Sequence, residues 1–181
     1  MKNLKPALAL LALVSLGVLL GCTTTASKAP DLNTTLRTSL DQAGLKDVTS
    51  SQDAEKGVIT LGGHVPAEGD KAQAESLAKS VAGSEVVANQ IAVIPPGQSD
   101  AKTVNSDLDN GITGNLNAAL VEAKLDDKVK FTVKNGVVTL TGDVNSKAKR
   151  AQGQQIAAAI QNVNQVVNEL QVKNQKATSS N

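Results

Sequence analysis

Gly57-Val58-Ile59-Thr60-Leu61-Gly62-Gly63-His64-Val65 and Gly136-Val137-Val138-Thr139-Leu140-Thr141-Gly142-Asp143-Val144 are one pattern written twice, and that repetition decides the fold. The match continues downstream at the same offset with no gap. Ala72-Gln73 meets Ala151-Gln152, Leu77-Ala78 meets Ile156-Ala157, Val81 meets Ile160, and Val87-Ala88-Asn89-Gln90-Ile91 meets Val166-Val167-Asn168-Glu169-Leu170. Upstream, Leu36, Leu40, Ala43 and Leu45 match Leu116, Leu120, Ala123 and Leu125 after a one-residue shift, which belongs in the first strand or the turn after it. The chain therefore carries two copies of one small domain, residues 31–94 and 105–173.

Each copy reads the same way. Leu32, Leu36, Leu40 and Ala43, and their equivalents Ile112, Leu116, Leu120 and Ala123, recur every three or four residues and place one apolar stripe on a first helix. In the second copy Val129, Phe131 and Val133 alternate with Lys130 and Thr132, as a half-buried strand requires. The corresponding stretch of the first copy, Val48 to Ala54, is too polar for its pattern to assign it. Asn135-Gly136 is a hairpin signal, because both residues accept the positive φ of a tight two-residue turn. The second strand is Val58 to Val65 or Val137 to Val144. A second helix follows, with Ala74, Leu77, Ala78 and Val81, or Gly153, Ile156, Ala157 and Ile160, on one face, where small residues allow close approach to a sheet. A last strand, Val86 to Val93 or Gln165 to Val172, completes an α-β-β-α-β unit. The predicted class is α+β, two tandem units of two helices on a three-stranded mixed sheet.

Composition narrows the chemistry. With one Phe, no Tyr and no Trp, the cores must be built from Val, Ile, Leu and Ala, which bury less area per residue than aromatics do. One Cys and one His cannot supply a disulfide framework or an ordinary zinc site, so no metal and no cofactor is expected. The formal charge of +1 gives no bulk attraction to nucleic acid.

The first residues read as an address. Lys2 and Lys5 precede an apolar run from Ala7 to Leu20, too short to span a bilayer comfortably, and Leu19-Leu20-Gly21-Cys22 ends it. This resembles a bacterial lipobox, in which the Cys thiol receives diacylglycerol and the chain is cut to leave that Cys first. The alternative is a plain signal peptide with an incidental Cys. Residues 1–21 are thus expected to be a signal peptide, and 22–30 a lipidated Cys22 with a flexible tether (Thr-Thr-Thr-Ala-Ser-Lys-Ala-Pro). Burying acyl chains is worth about 0.8 kcal/mol per methylene, so two chains anchor a protein whatever its fold. Thr23 rather than Asp after the Cys resembles the sorting signal for the outer membrane. Pro95-Pro96-Gly97 opens a linker over 95–104, and the polar tail 174–181 is expected to be disordered.

The pattern Gly-Val-hydrophobic-Thr-Leu-x-Gly-x-Val, an Ala-rich helix and Val-x-Asn-x-hydrophobic-x-Val closely resembles the BON family, and the paired occurrence resembles its dual-domain outer-membrane lipoproteins. The resemblance covers nearly all of the mature chain. It implies envelope maintenance under osmotic or membrane stress and attachment to phospholipid surfaces, and it offers no catalytic residue to carry over.

Within the repeats, His64 with Asp70 or Ser76 is the one candidate base, but its counterpart is Asp143 and both positions read as solvent-facing. Gly57, Gly62 and Gly63 lack the Gly-Lys-Ser/Thr of a phosphate loop. Asn33-Thr34-Thr35 matches a glycosylation sequon, which beside a bacterial lipobox is read as chance. Charge is the informative feature: residues 31–94 hold five basic against nine acidic residues, and 105–173 hold eight against seven. Lys147, Lys149 and Arg150 cluster at the start of a helix, with Lys128, Lys130 and Lys134 nearby in sequence, so the second copy is the candidate for contact with anionic headgroups. The bland alternative is an ordinary solvated surface. The expectation is a non-enzymatic, palmitate-bearing lipoprotein of the outer membrane facing the periplasm, docking on phospholipid. The competing expectation is a periplasmic adaptor that offers strand edges to an envelope protein.

Overall fold

The computed structural model describes residues 31–98 and 100–173; the segments read as signal peptide, lipidated Cys22 with its tether, and tail lie outside them. The first copy runs α1 (Asn33–Gln42), β1 (Val48–Asp53), β2 (Val58–Val65), α2 (Glu68–Ala82) and a last strand broken in two, β3 (Val86–Asn89) and β4 (Ala92–Val93). The second copy repeats it as α3 (Ala101–Glu122), β5 (Val129–Lys134), β6 (Val137–Val144), α4 (Lys147–Ala158), β7 (Gln165–Asn168) and β8 (Gln171–Val172). In each, the central strand pairs antiparallel with the strand before it and parallel with both halves of the last. The α+β reading with a mixed sheet is what the chain adopts.

The polar stretch Val48 to Ala54 is a strand through Asp53, with the same burial alternation as β5. Ser50 and Gln52 point inward where the second copy has Phe131 and Val133. Gln52 is tolerated there because its amide is satisfied: it donates to Glu85 Oε1 at 2.6 Å and accepts from the Leu32 amide at 3.0 Å. The hairpins differ. Lys134 faces Val137 across Asn135-Gly136, whose φ values of 49° and 76° are those of a tight two-residue turn. Asp53 faces Val58 across four residues, and its carboxylate accepts from the amides of Lys56 and Glu55, which holds its pKa below the usual carboxylate range. A one-residue insertion in the loop before β5 (Asp126-Asp127-Lys128 against Lys46-Asp47) partly cancels this difference. The single shift read from the sequence is thus the sum of two. The helix α3 starts at Ala101, inside the stretch read as linker, so only residues 94–100 separate β4 from α3.

Helices cover one face of each sheet. Leu36, Leu40, Ile59, Leu61, Ala74, Ala78 and Ile91 close the first core, and Ile112, Leu116, Leu120, Val138, Leu140, Ala157 and Leu170 the second. Gly63 and Gly142 sit at equivalent places where the first strand crosses the central one. A Cβ on either would lie 2.0 Å from the Asp47 carbonyl oxygen or 2.2 Å from that of Lys128, and both have positive φ.

The other faces of the two sheets meet each other. Val58 and Ala88 form one buried cluster with Val137 and Val167, which are their own equivalents in the repeat. Polar contacts follow the same pseudo-two-fold relation. Lys56 in the first hairpin pairs with Glu169 at 2.7 Å, and Asn135 in the second hairpin donates to the Gln90 carbonyl at 2.7 Å; Gln90 is the repeat equivalent of Glu169. Glu169, and secondarily Asp53, raise the Lys56 pKa above the ordinary lysine value. One contact breaks the symmetry. The Gln165 carboxamide accepts from the Asn89 amide at 3.0 Å and donates to the Val87 carbonyl at 2.6 Å, capping the edge of β3 as a neighbouring strand would. Its equivalent is Val86, which caps nothing and is 47% exposed.

Two predictions follow from these placements. Gly142→Ala and Gly63→Ala each cost roughly 3 kcal/mol or more in urea unfolding, since backbone strain and a backbone clash add. Gly111→Ala and Gly114→Ala, with open space around their Cβ positions in the body of α3, stabilise by roughly 0.5–1 kcal/mol. Equal effects in the two pairs would contradict this reading. At the joint, Gln165→Ala costs about 1–3 kcal/mol by leaving two edge groups uncapped, and Val86→Gln, which restores the missing cap, gains about 0.5–1.5 kcal/mol. An unchanged midpoint for Gln165→Ala would show that its amide is not a cap.

Candidate functional site

The basic residues singled out in the sequence divide between the two ends of the second domain. Strand β5 begins where β6 ends, with Val129 opposite Gly142, and α4 starts three residues after Val144. Lys128, Lys147, Lys149 and Arg150 therefore share one end of the domain, and all four are exposed. Lys130 is exposed one residue into β5, its Nζ donating to the Asp126 carbonyl at 3.1 Å. Lys134 precedes the Asn135-Gly136 turn and so lies at the opposite end. Lys173, which the sequence reading passed over, follows β8; its amide donates to the Val144 carbonyl, and its Nζ pairs with Asp143 at 2.6 Å.

The start of α4 is well defined. Ser146 caps it by accepting from the Lys149 amide at 3.2 Å, where the equivalent Ala67 gives α2 no side-chain cap. Lys149 Nζ donates to Gln152 Oε1 at 3.0 Å, and Arg150 Nη2 donates to the Asn168 carbonyl at 3.0 Å. Arg150 is thereby laid along the broken last strand. Lys147, Arg150, Gln154, Asn168, Leu170 and Gln171 line a shallow open groove of about 470 Å³ between α4 and that strand. It has two cations at one end and carboxamides along its length, a surface able to accept an anionic headgroup.

The break in the last strand is built the same way in both copies. Asn89 donates from Nδ2 to the Lys71 carbonyl and to Glu75, while its Oδ1 accepts from the Ile91 amide. Asn168 repeats each contact with Arg150, Gln154 and Leu170. An Asn at this position ties the helix to the strand and satisfies the backbone where the ladder is interrupted, which explains its place in the repeat. The Asn89 hydrogen bond, and next that of Lys79, hold the Glu75 carboxyl below its usual pKa. Its contribution to stability is complete above the unfolded-state pKa and fades as pH falls through the lowered value. Gln154 makes the same contact in the second copy without that dependence.

His64 is exposed near the end of β2, its amide donating to the Asp47 carbonyl. Among the described residues no three His, Cys, Asp or Glu are grouped to hold a metal ion, and no helix is long and apolar enough to cross a membrane.

Comparison with known proteins agrees with the architecture. The chain is 28% identical over 136 residues to the osmotically-inducible protein Y of Escherichia coli (strain K12), an alignment covering 74% of this chain and 67% of that protein. Two solved structures of CdsD, a structural protein of the type III secretion system of Chlamydia trachomatis, align over 79% and 78% of this chain at 15% and 17% identity and a TM-score of 0.33. The aligned regions amount to 66% and 59% of those chains, and the likeness is too loose to bear on mechanism. The BON domain model matches residues 29–95 and 108–174, one match on each α-β-β-α-β unit, and the chain therefore belongs to the BON domain family, which it represents twice.

Proposed function

We propose that this protein is a non-enzymatic cell-envelope lipoprotein that helps maintain the envelope under osmotic stress, with its second domain docking on anionic phospholipid. The observation that carries the reading is the similarity, across both BON domains, to a protein named for osmotic induction. Three features add to it. The lipobox-like Leu19-Leu20-Gly21-Cys22 supplies an acyl anchor and, with Thr23 after it, a place on the periplasmic side of the outer membrane. Lys128, Lys147, Lys149 and Arg150 stand exposed at one end of the second domain beside an open groove. The chain's one His, His64, is exposed near the end of β2, and binding rather than turnover is the reading proposed.

A basic side chain at an anionic surface contributes about 1 kcal/mol, so the cluster suffices for weak docking without the aromatic residues that usually mark an interface. The acyl anchor then makes weak docking effective by holding the domain close to the bilayer. An adaptor reading is favoured by a separate observation: β1 and β5 are the outermost strands of their sheets, six residues each, and offer an edge to which a partner's strand can add.

Co-sedimentation of residues 23–181 with vesicles separates the two. Docking predicts binding to phosphatidylglycerol vesicles that exceeds binding to phosphatidylcholine vesicles, weakens with salt, and drops about tenfold or more in Lys147→Glu/Lys149→Glu, where two contacts of about 1 kcal/mol each turn repulsive. Binding that ignores both lipid charge and salt would end the docking proposal.

A further inference from the structure

The joint between the domains fixes which way the basic end faces. In the first domain α1 starts beside the end of β1, where the Leu32 amide meets Gln52, so the chain enters at the hairpin end of that sheet. The same hairpin carries Lys56, which pairs with Glu169 of the second domain, two residues before β8. At the other end of the joint, Asn135 of the second hairpin meets Gln90. The central strands of the two sheets consequently run in opposite senses. The far end of β6 and β8, with the start of α4, lies on the side where residue 31 enters the molecule. The opposite side carries the loop with Lys46 and the start of α3 with Lys102.

We infer that the groove of the second domain takes phospholipid headgroups of the same leaflet that holds the N-terminal anchor, and does not bridge to a second surface. This rests on the docking reading above and adds a direction to it. Cys22 lies nine residues before Asp31, a stretch that reaches about 30 Å when fully extended, comparable to a small domain's diameter. Had the sheets run in the same sense, the basic end and the point of chain entry would lie on opposite faces, and the basic end would point away from the anchoring bilayer. In the arrangement found, one bilayer can satisfy both, and the linked contacts reinforce one another through effective concentration.

The test uses Cys22, the only Cys in the chain, to couple residues 22–181 to maleimide lipid in phosphatidylglycerol-containing vesicles. Lysine acetylation is then read by mass spectrometry. Labelling of Lys147 and Lys149 should fall about fivefold relative to Lys46 and Lys102, the change that roughly 1 kcal/mol per headgroup contact produces. Phosphatidylcholine vesicles should give no such protection, and added anionic vesicles should not be captured. Undiminished labelling of Lys147 and Lys149 with capture of added vesicles would overturn the same-leaflet inference while leaving lipid docking intact. Failure of both the coupled and the uncoupled protein to engage anionic vesicles would overturn the docking reading along with it.

Discussion

The structure depends on the central strand of each sheet being buried on both faces. Ile59 and Leu61, like Val138 and Leu140, face the helices, while Val58 and Val137 face each other's domain. A three-stranded sheet with helices on one side leaves an apolar face open, and here the second copy of the same sheet closes it. Because the positions that meet are repeat equivalents, the contact has the self-complementary character of a two-fold dimer interface drawn into one chain. The connector of residues 94–100 is short and holds Pro95 and Pro96, which limits how far the two faces can separate.

The buried apolar cluster at this joint is four small side chains, Val58, Ala88, Val137 and Val167, so polar contacts at its rim share in setting its geometry. Lys56 with Glu169 and Asn135 with Gln90 hold the two hairpins against the opposite domain, and Gln165 closes the edge of β3. None is large alone, and each depends on the others for its alignment. Their combined effect is directional: the point where the chain enters and the basic end of the second domain are brought to one side. For a protein read as tethered to a bilayer, that direction decides whether its charged residues are useful.

Much of this was legible beforehand, because the period of the apolar residues and the repeat of Gly-Val-hydrophobic-Thr-Leu require no tertiary information. The strand Val48–Asp53 was not, since Ser50 and Gln52 erase the alternation, and the half-buried Gln52 is satisfied by Glu85 and Leu32, which are remote in sequence. The start of α3 is not legible in the sequence, because Pro95-Pro96-Gly97 mark a connector and the polar residues that follow carry no sign of where the helix begins. Lys128 and the α4 cations could be grouped from sequence neighbourhood, whereas Lys134 could be separated from them only by knowing the hairpin register. The joint left one readable trace, the adjacent pairs Val58-Ile59 and Val137-Val138, which place apolar side chains on both faces of a strand and so require both to be covered. Which surface does the covering, and in which sense, is a property of the assembled domains.

Backbone ¹⁵N relaxation on residues 23–181 tests the account at its centre. A joint that holds the sheets together predicts a single rotational correlation time shared by the amides of β1–β3 and β5–β7, and its replacement by two shorter, unequal times in Val167→Asp, which buries a charge in the cluster with Val58, Ala88 and Val137. Two independent correlation times in the unaltered protein would contradict it.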